Sequence, residues 1–248
     1  MISPTGVRLA LVGLAVVGMT QTADAGRTHF AWLYGTDIIP ERGTELETWI
    51  LEENHEGDRK VSETAFWWGP VVALTPHLEL AISIEAEYKD EKDGNAAVHF
   101  SKWGGEVRYR LQSPDPVDAG PFVTKFRAGA KRRIEDRAAY QLEADVIASY
   151  EAGRVFALVD LGTVTERGPD AKETQLRPGA GISVRATKEL RFGAEGYGEL
   201  LVEGDGTNWY VVGPTVSLTS GRFWGAASYG IGLFGMRDAP RVTFGVAL

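Results

Sequence analysis

The chain of 248 residues contains no cysteine, so neither a disulfide framework nor a thiolate metal site can hold it together. Its four histidines, His29, His55, His77 and His99, fall at intervals that make no metal-ligand motif. Positive charge is in deficit: Lys and Arg total 26 against 34 Asp and Glu, a formal net charge of -8, with a pI near 5.1. That balance argues against nucleic acid as a partner, because a polyanion selects for clustered cations. Long apolar runs are missing too. A helical membrane span needs roughly 20 consecutive apolar residues, and the longest run, Leu9 to Met19, falls well short of that.

That one run sits where an export signal needs it. Arg8 and the amino terminus supply the positive end, and Ala23-Asp24-Ala25 offers small residues at the positions a signal peptidase reads. Residues 1–25 are therefore expected to be an address, with the mature chain beginning near Gly26, and they are left out of the fold.

What the sequence does have is alternation. From Leu78 to Tyr88, one parity carries Leu78, Leu80, Ile82, Ile84, Ala86 and Tyr88, while the other includes Glu79, Ser83, Glu85 and Glu87. A strand with this pattern has one face for hydrocarbon and one for water or polar partners. Tyr140, Leu142, Ala144, Val146, Ala148 and Tyr150 oppose Gln141, Glu143, Asp145 and Ser149 in the same way, and Leu176, Ala180, Ile182 and Val184 oppose Gln175, Arg177, Ser183 and Arg185. Twelve strands are expected, at 43–54, 61–74, 77–89, 97–112, 121–131, 138–150, 154–166, 172–186, 190–203, 208–219, 222–235 and 241–248. The fold class that follows is all-β, an antiparallel up-and-down transmembrane β-barrel over residues 43–248, with 26–42 as a periplasmic segment or plug. The 30 glycines fit dispersed apolar residues and a curved sheet. Gly193, Gly196 and Gly198 lie within a strand pattern, so they are not a phosphate cradle, which would open a helix.

The connections agree with that fold. The odd ones, 55–60, 90–96, 132–137, 167–171, 204–207 and 236–240, are polar and charged. Most even ones are tight: Thr75-Pro76, Glu151-Ala152-Gly153, Thr187-Lys188-Glu189 and Ser220-Gly221; 113–120, with two prolines, is the exception. Alternating short turns and longer loops is how an outer-membrane barrel joins its strands, and twelve strands leave both termini in the periplasm. Tyr140 and Tyr150 share a face ten residues apart, which at a tilt near 45° separates them by roughly 23 to 25 Å, the spacing of two interfacial girdles. Trp103, Tyr109, Trp209, Tyr210, Phe223, Trp224 and Tyr229 group near strand ends and are read as girdle residues too. The competing account, aromatics in the core of a soluble sandwich, would call for less inward charge.

The segment Tyr34-Gly35-Thr36-Asp37-Ile38-Ile39-Pro40-Glu41-Arg42-Gly43-Thr44-Glu45-Leu46-Glu47-Thr48-Trp49 resembles the opening of a group of bacterial outer-membrane barrels of the meta-pathway phenol-degradation transporter type. The resemblance implies an outer-membrane location and passage of a small-molecule solute. The chain departs from the common outer-membrane pattern by ending on Leu248, with Phe244 four residues earlier, where an aromatic is usual.

The inward charges are the candidate site. Glu79, Glu85 and Glu87 make strand three acidic, Arg108, Arg110, Lys125 and Arg127 make strands four and five basic, and Glu143 and Asp145 make strand six acidic again. Arg177, Arg185, Arg191, Glu195 and Glu199 continue the mixture. Antiparallel neighbours bring such groups within cross-strand reach. Two readings stand open: mutual neutralisation that fills the lumen, or a charged constriction that screens polar solutes. An enzymatic alternative, a lipid hydrolase, rests on His99-Phe100-Ser101, which resembles the His-x-Ser pair of outer-membrane phospholipases and lipid A deacylases. Their orienting Asn or Glu, about a dozen residues after the serine, is replaced here by Ser113. Asp90, Glu91 and Asp93 resemble a calcium-loop fragment but lack its closing Glu. No cofactor is expected; membrane lipid and a small-molecule solute are the expected partners.

Overall fold

The computed structural model describes residues 28–55, 62–89, 97–113, 115, 118, 120–169 and 172–248. The expected export signal, the 90–96 connection with Asp90, Glu91 and Asp93, and all of 55–60 except His55 lie outside them. The alternating segments form β1 (Thr44–His55), β2 (Ser62–Thr75), β3 (Leu78–Lys89), β4 (Ala97–Arg110), β5 (Phe122–Arg133), β6 (Tyr140–Ala152), β7 (Val155–Arg167), β8 (Lys172–Arg185), β9 (Leu190–Glu203), β10 (Trp209–Ser220), β11 (Phe223–Phe234) and β12 (Met236–Ala247). Each pairs antiparallel with its chain neighbours, and β1 closes the sheet on β12 from Glu45↔Ala247 to His55↔Met236. Closure removes both edges, so alternate residues of each strand are committed to opposite faces.

β6 shows the outcome. Gln141, Glu143, Asp145, Ile147 and Ser149 are buried in the lumen while Tyr140, Leu142, Val146 and Tyr150 lie exposed on the outside. Leu80 and Ile82, Val159 and Leu161, Ile182 and Val184, and Val242 and Phe244 extend the same apolar exterior around the barrel. Strands of 12 to 14 residues, rising about 3.3 Å per residue at a tilt near 45°, reach roughly 28 to 33 Å, which matches a hydrocarbon layer of about 30 Å. The tight turns follow from backbone chemistry. Ala152↔Val155 and Ser220↔Phe223 are joined by two residues each, and Gly153 (φ 61°) and Gly221 (φ 58°) supply the positive φ that such hairpins need.

The structure corrects the sequence reading in three places. Residues 236–240, expected as a loop, are the first part of β12, because they pair with β11 on one side and β1 on the other; Asn54 Nδ2 donates to Asp238 Oδ1 at 2.6 Å across that seam. Trp209 and Trp224, expected in the girdles, point into the lumen, as their parity with Val211 and Ala226 requires. The pairing of β3 with β4 shifts between Glu85↔Lys102 and Ala86↔Phe100, which leaves Ser101 as the extra residue of a bulge. Gly196 and Gly198 lie beneath the Tyr210 side chain: a Cβ on Gly198 would fall 2.4 Å from its Cδ2. The sheet is therefore bare there to admit a ring.

A charge on the outer face should cost stability according to depth. Val146→Arg, in the middle of exposed β6, is expected to lower the unfolding free energy in lipid vesicles by about 2–4 kcal/mol, and Val155→Arg at the rim by about 0–1 kcal/mol. Equal costs in urea titrations of the two variants would rule out a hydrocarbon layer around the midpoint of the strands.

Candidate functional site in the barrel lumen

Lumen charges pair through a ladder that runs from β1 to β8. Register places Arg108 opposite Arg127, and Arg110 opposite Lys125, an arrangement of like charges that would be repulsive on its own. Glu106, on the same face of β4, resolves the first pair: Arg108 Nε donates to its Oε1 at 2.6 Å and Arg127 Nε to its Oε2 at 2.7 Å. Arg108 also forms a two-pronged pair with Glu47, at 2.7 and 2.6 Å, and lies 3.8 Å from Glu79. Arg127 reaches onward to Glu143 and to Asp145 at 2.6 Å, and its side chain is only 1% exposed. Lys131 Nζ bridges Glu85 and Glu143, both at 2.6 Å. Arg177 closes the ladder on Asp145 at 3.2 Å, and Gly162 faces Asp145 because a Cβ there would fall 2.0 Å from its Oδ1.

Half of the fourteen expected lumen residues thus meet one another: Glu79, Glu85, Arg108, Arg127, Glu143, Asp145 and Arg177 are in this network. Arg191 lies lower, 3.3 Å from Glu151 and with its guanidinium 5.5 Å from the Phe156 ring. Arg185 is exposed at the turn end, where it pairs with Glu151; it is the last residue of β8, so its side chain stands at the rim and not within the lumen. Glu106 shares parity with Arg108 and Arg110 of β4, and Lys131 with Lys125 and Arg127 of β5, so both were readable from the alternation. Glu47 and Asp160 were hidden because β1 and β7 alternate poorly.

Residues 28–42 occupy the lumen. They enter from the turn end, where Gly43 N bonds Pro40 O and Ala73 N bonds Gly43 O, and reach an apex near Trp32 to Tyr34 before returning toward Phe156. Carboxylates hold their backbone: Ala31 N and Trp32 N each donate at 2.9 Å to Glu195, Tyr34 N at 3.3 Å to Asp160, and Ile39 N to Glu79. Lys125 Nζ donates to Asp37 O at 3.2 Å, Arg110 lies 3.6 Å from the Asp37 carboxylate, and Thr36 Oγ1 meets Ser149 Oγ at 2.6 Å. Side chains complete the fit. The Tyr34 ring lies 4.1 Å beneath the Arg127 guanidinium, and Trp32 stacks on Tyr197 at 5.2 Å. Phe30 and Leu33 seat against glycines of β8: a Cβ on Gly181 would fall 2.5 Å from the Phe30 ring, and one on Gly179 2.3 Å from Leu33 Cδ2.

Above the apex, toward the loop end, a cavity of about 200 Å³ remains. Trp32, Trp49, Tyr34, Tyr197 and Trp209 form its floor and one side. Glu53, Glu63, Glu85, Glu87, Glu143 and Glu199 line it together with Lys102, Lys131, Arg177 and Arg241. Glu199 accepts from Trp209 Nε1 at 3.3 Å, and Lys102 Nζ donates to Gln141 at 2.8 Å. An adjoining space of about 250 Å³ on the β7 and β8 side adds Glu166 and Glu173.

The hydrolase alternative fares differently. His99 Nε2 lies 3.8 Å from Glu87, but Ser101 Oγ is buried with no hydrogen-bond partner. The bulge takes Ser101 out of the alternation that would have set it beside His99, so the histidine does not hold the hydroxyl it would have to activate.

No protein-family model and no curated protein matches the chain. Solved structures do share its shape. An outer membrane channel from Pseudomonas putida F1 superposes with a TM-score of 0.55 at 8% identity, covering 85% of this chain and 97% of that one. The KdgM porin in complex with disordered oligogalacturonate gives 0.52 at 9% identity, covering 82% and 99%, and the β domain of the Bordetella autotransporter Brka gives 0.53 at 11%, covering 82% and 98%. The chain has the fold of outer-membrane β-barrels, channels and porins among them.

Arg127 is the joint of the ladder, and its removal would leave Glu106, Glu143 and Asp145 facing one another. Arg127→Met is expected to destabilise the barrel by about 3–5 kcal/mol, the usual cost of stripping one partner from a buried ion pair, as measured by urea unfolding in vesicles. A loss under about 1 kcal/mol, the range of exposed pairs, would show that the ladder is solvated.

Proposed function

We propose that the protein is an integral outer-membrane barrel that passes small molecules passively, with residues 28–42 as a plug in its lumen. The observation that carries this reading is how the segment is held. It joins no sheet ladder between Thr28 and Arg42, and four of its backbone donors, those of Ala31, Trp32, Tyr34 and Ile39, are met by carboxylate side chains of the wall. Such bonds are stronger singly than neutral ones, but the segment can leave without opening a strand pair, because the barrel is already closed through β1 and β12. Its hold on the lumen is then a few charge-assisted bonds plus the burial of Phe30, Trp32, Leu33 and Ile39, at about 1.5–3 kcal/mol for each fully buried side chain.

The channel and porin neighbours support passage as the use of the fold. The stretch that resembles the meta-pathway phenol-degradation type of barrel supports it further. Tyr34, Thr36, Asp37 and Ile39 from that stretch contact the lumen wall, and Glu47 and Trp49 contact Arg108 and Arg241, so the residues carrying the resemblance line the path. A second reading, a structural barrel with a filled lumen, is favoured by one observation: the ladder around Arg127 is itself buried.

Planar-bilayer recording separates the two. The processed chain is expected to give small or infrequent current, and deletion of residues 28–40 to give ohmic steps at least severalfold larger. Gly181→Leu, which places side-chain atoms where the Phe30 ring lies, should move conductance in the same direction. Silence from both the deletion and Gly181→Leu would overturn the conduit and leave the filled barrel.

A further inference from the structure

The cavity above the plug is unbalanced in charge and lined with ring faces. Among the described residues, six carboxyl groups and four cationic groups border its main part, and the adjoining space adds Glu166, which pairs with Arg133 at 3.1 Å, and Glu173. Two of the four cations are tied to carboxylates of the ladder. Lys131 and Arg177 are spent on Glu143, Glu85 and Asp145 in the ladder below. Arg241 lies between two rings, 5.1 Å from the centre of Trp32 and 4.7 Å from that of Trp49. Toward the mouth, the excess of carboxylates therefore sets the sign of the field. A cleft lined by one sign of charge and walled by protein concentrates counter-ions.

The aromatic floor favours the same sign. Ring faces are electron-rich and attract cations, most strongly when water is excluded. The barrel demonstrates this with its own Arg241. Trp209 and Tyr197 extend the aromatic surface beside it, with their ring centres 5.7 Å apart.

We infer that this vestibule selects organic cations, small amines or quaternary ammonium ions with an apolar body, over anions of the same size. The inference rests on the conduit reading in treating the cavity as the entrance for a solute, but binding there can be measured whether or not the barrel conducts. The carboxylate ring supplies the long-range attraction, and the floor of rings receives the apolar body and the cationic head.

The test uses the full processed chain in detergent, with benzyltrimethylammonium, benzyl alcohol and benzenesulfonate as probes of one shape and three charges. Calorimetric titration is expected to show the cation binding at least about tenfold more tightly than the sulfonate, with an advantage that shrinks as salt is raised. The double variant Glu87→Gln/Glu199→Gln should lose most of that preference and leave benzyl alcohol unchanged, and Lys102→Gln should enlarge it. Circular dichroism and heat-modifiable migration confirm that each variant is folded. Sulfonate binding as tight as that of the ammonium, or no binding of either, overturns the inference. Cation binding in a barrel that stays silent after plug deletion would sink the conduit and leave the vestibule's selectivity standing.

Discussion

Buried charge without a partner is the constraint around which this lumen is organised. Closing twelve strands sends alternate residues inward, and this sequence sends arginines, lysines and carboxylates with them. The cost of desolvating each is met only when opposite charges arrive at the same level of the barrel. Cross-strand register does not always arrange this: Arg108 faces Arg127 and Arg110 faces Lys125. The solution is carried by Glu106, which stands between the first two guanidinium groups, and by the backbone carbonyl and carboxylate of Asp37, which serve the second pair. The ladder on one side of the lumen therefore depends in part on a segment that belongs to no strand.

That dependence links packing to access. The inserted residues satisfy Lys125 and Arg110, stack Tyr34 beneath Arg127, and in return have their own backbone donors met by Glu79, Asp160 and Glu195. Each side leaves the other with polar groups to satisfy if they separate, and water entering a vacated lumen can take that role. The two bare positions on β8, Gly179 and Gly181, show that the wall is shaped for this occupant. They leave room for Leu33 and Phe30, and any side chain there would compete with them.

The two ends of the lumen differ in character. Toward the tight turns, the tucked segment and the β1 to β6 charges fill the interior. Toward the loops, space remains, bordered by an excess of carboxylates and floored by Trp32, Trp49 and Trp209. Trp32, at the apex of the inserted segment, belongs to both regions, so the floor of the open cavity is made by the residue that caps the closed one.

The period-two pattern made the architecture legible. It marked twelve strands, most of their boundaries to within a residue or two, and the inward face of β3, β6 and β8, since alternation depends only on which side of a sheet a residue takes. Strands β1 and β7, where Glu47 and Asp160 sit among less regular neighbours, did not reveal their lumen groups this way. The bulge at Ser101 and the extension of β12 back to Met236 also escaped it, because both depend on a neighbouring strand's hydrogen bonds. The sequence by itself determined that charged residues would face inward from a closed, oil-coated sheet. Only the tertiary structure decided which charges meet, and that residues 28–42 lie among them, because stagger between strands and the passage of a non-strand segment through the lumen are set by contacts between residues far apart in sequence.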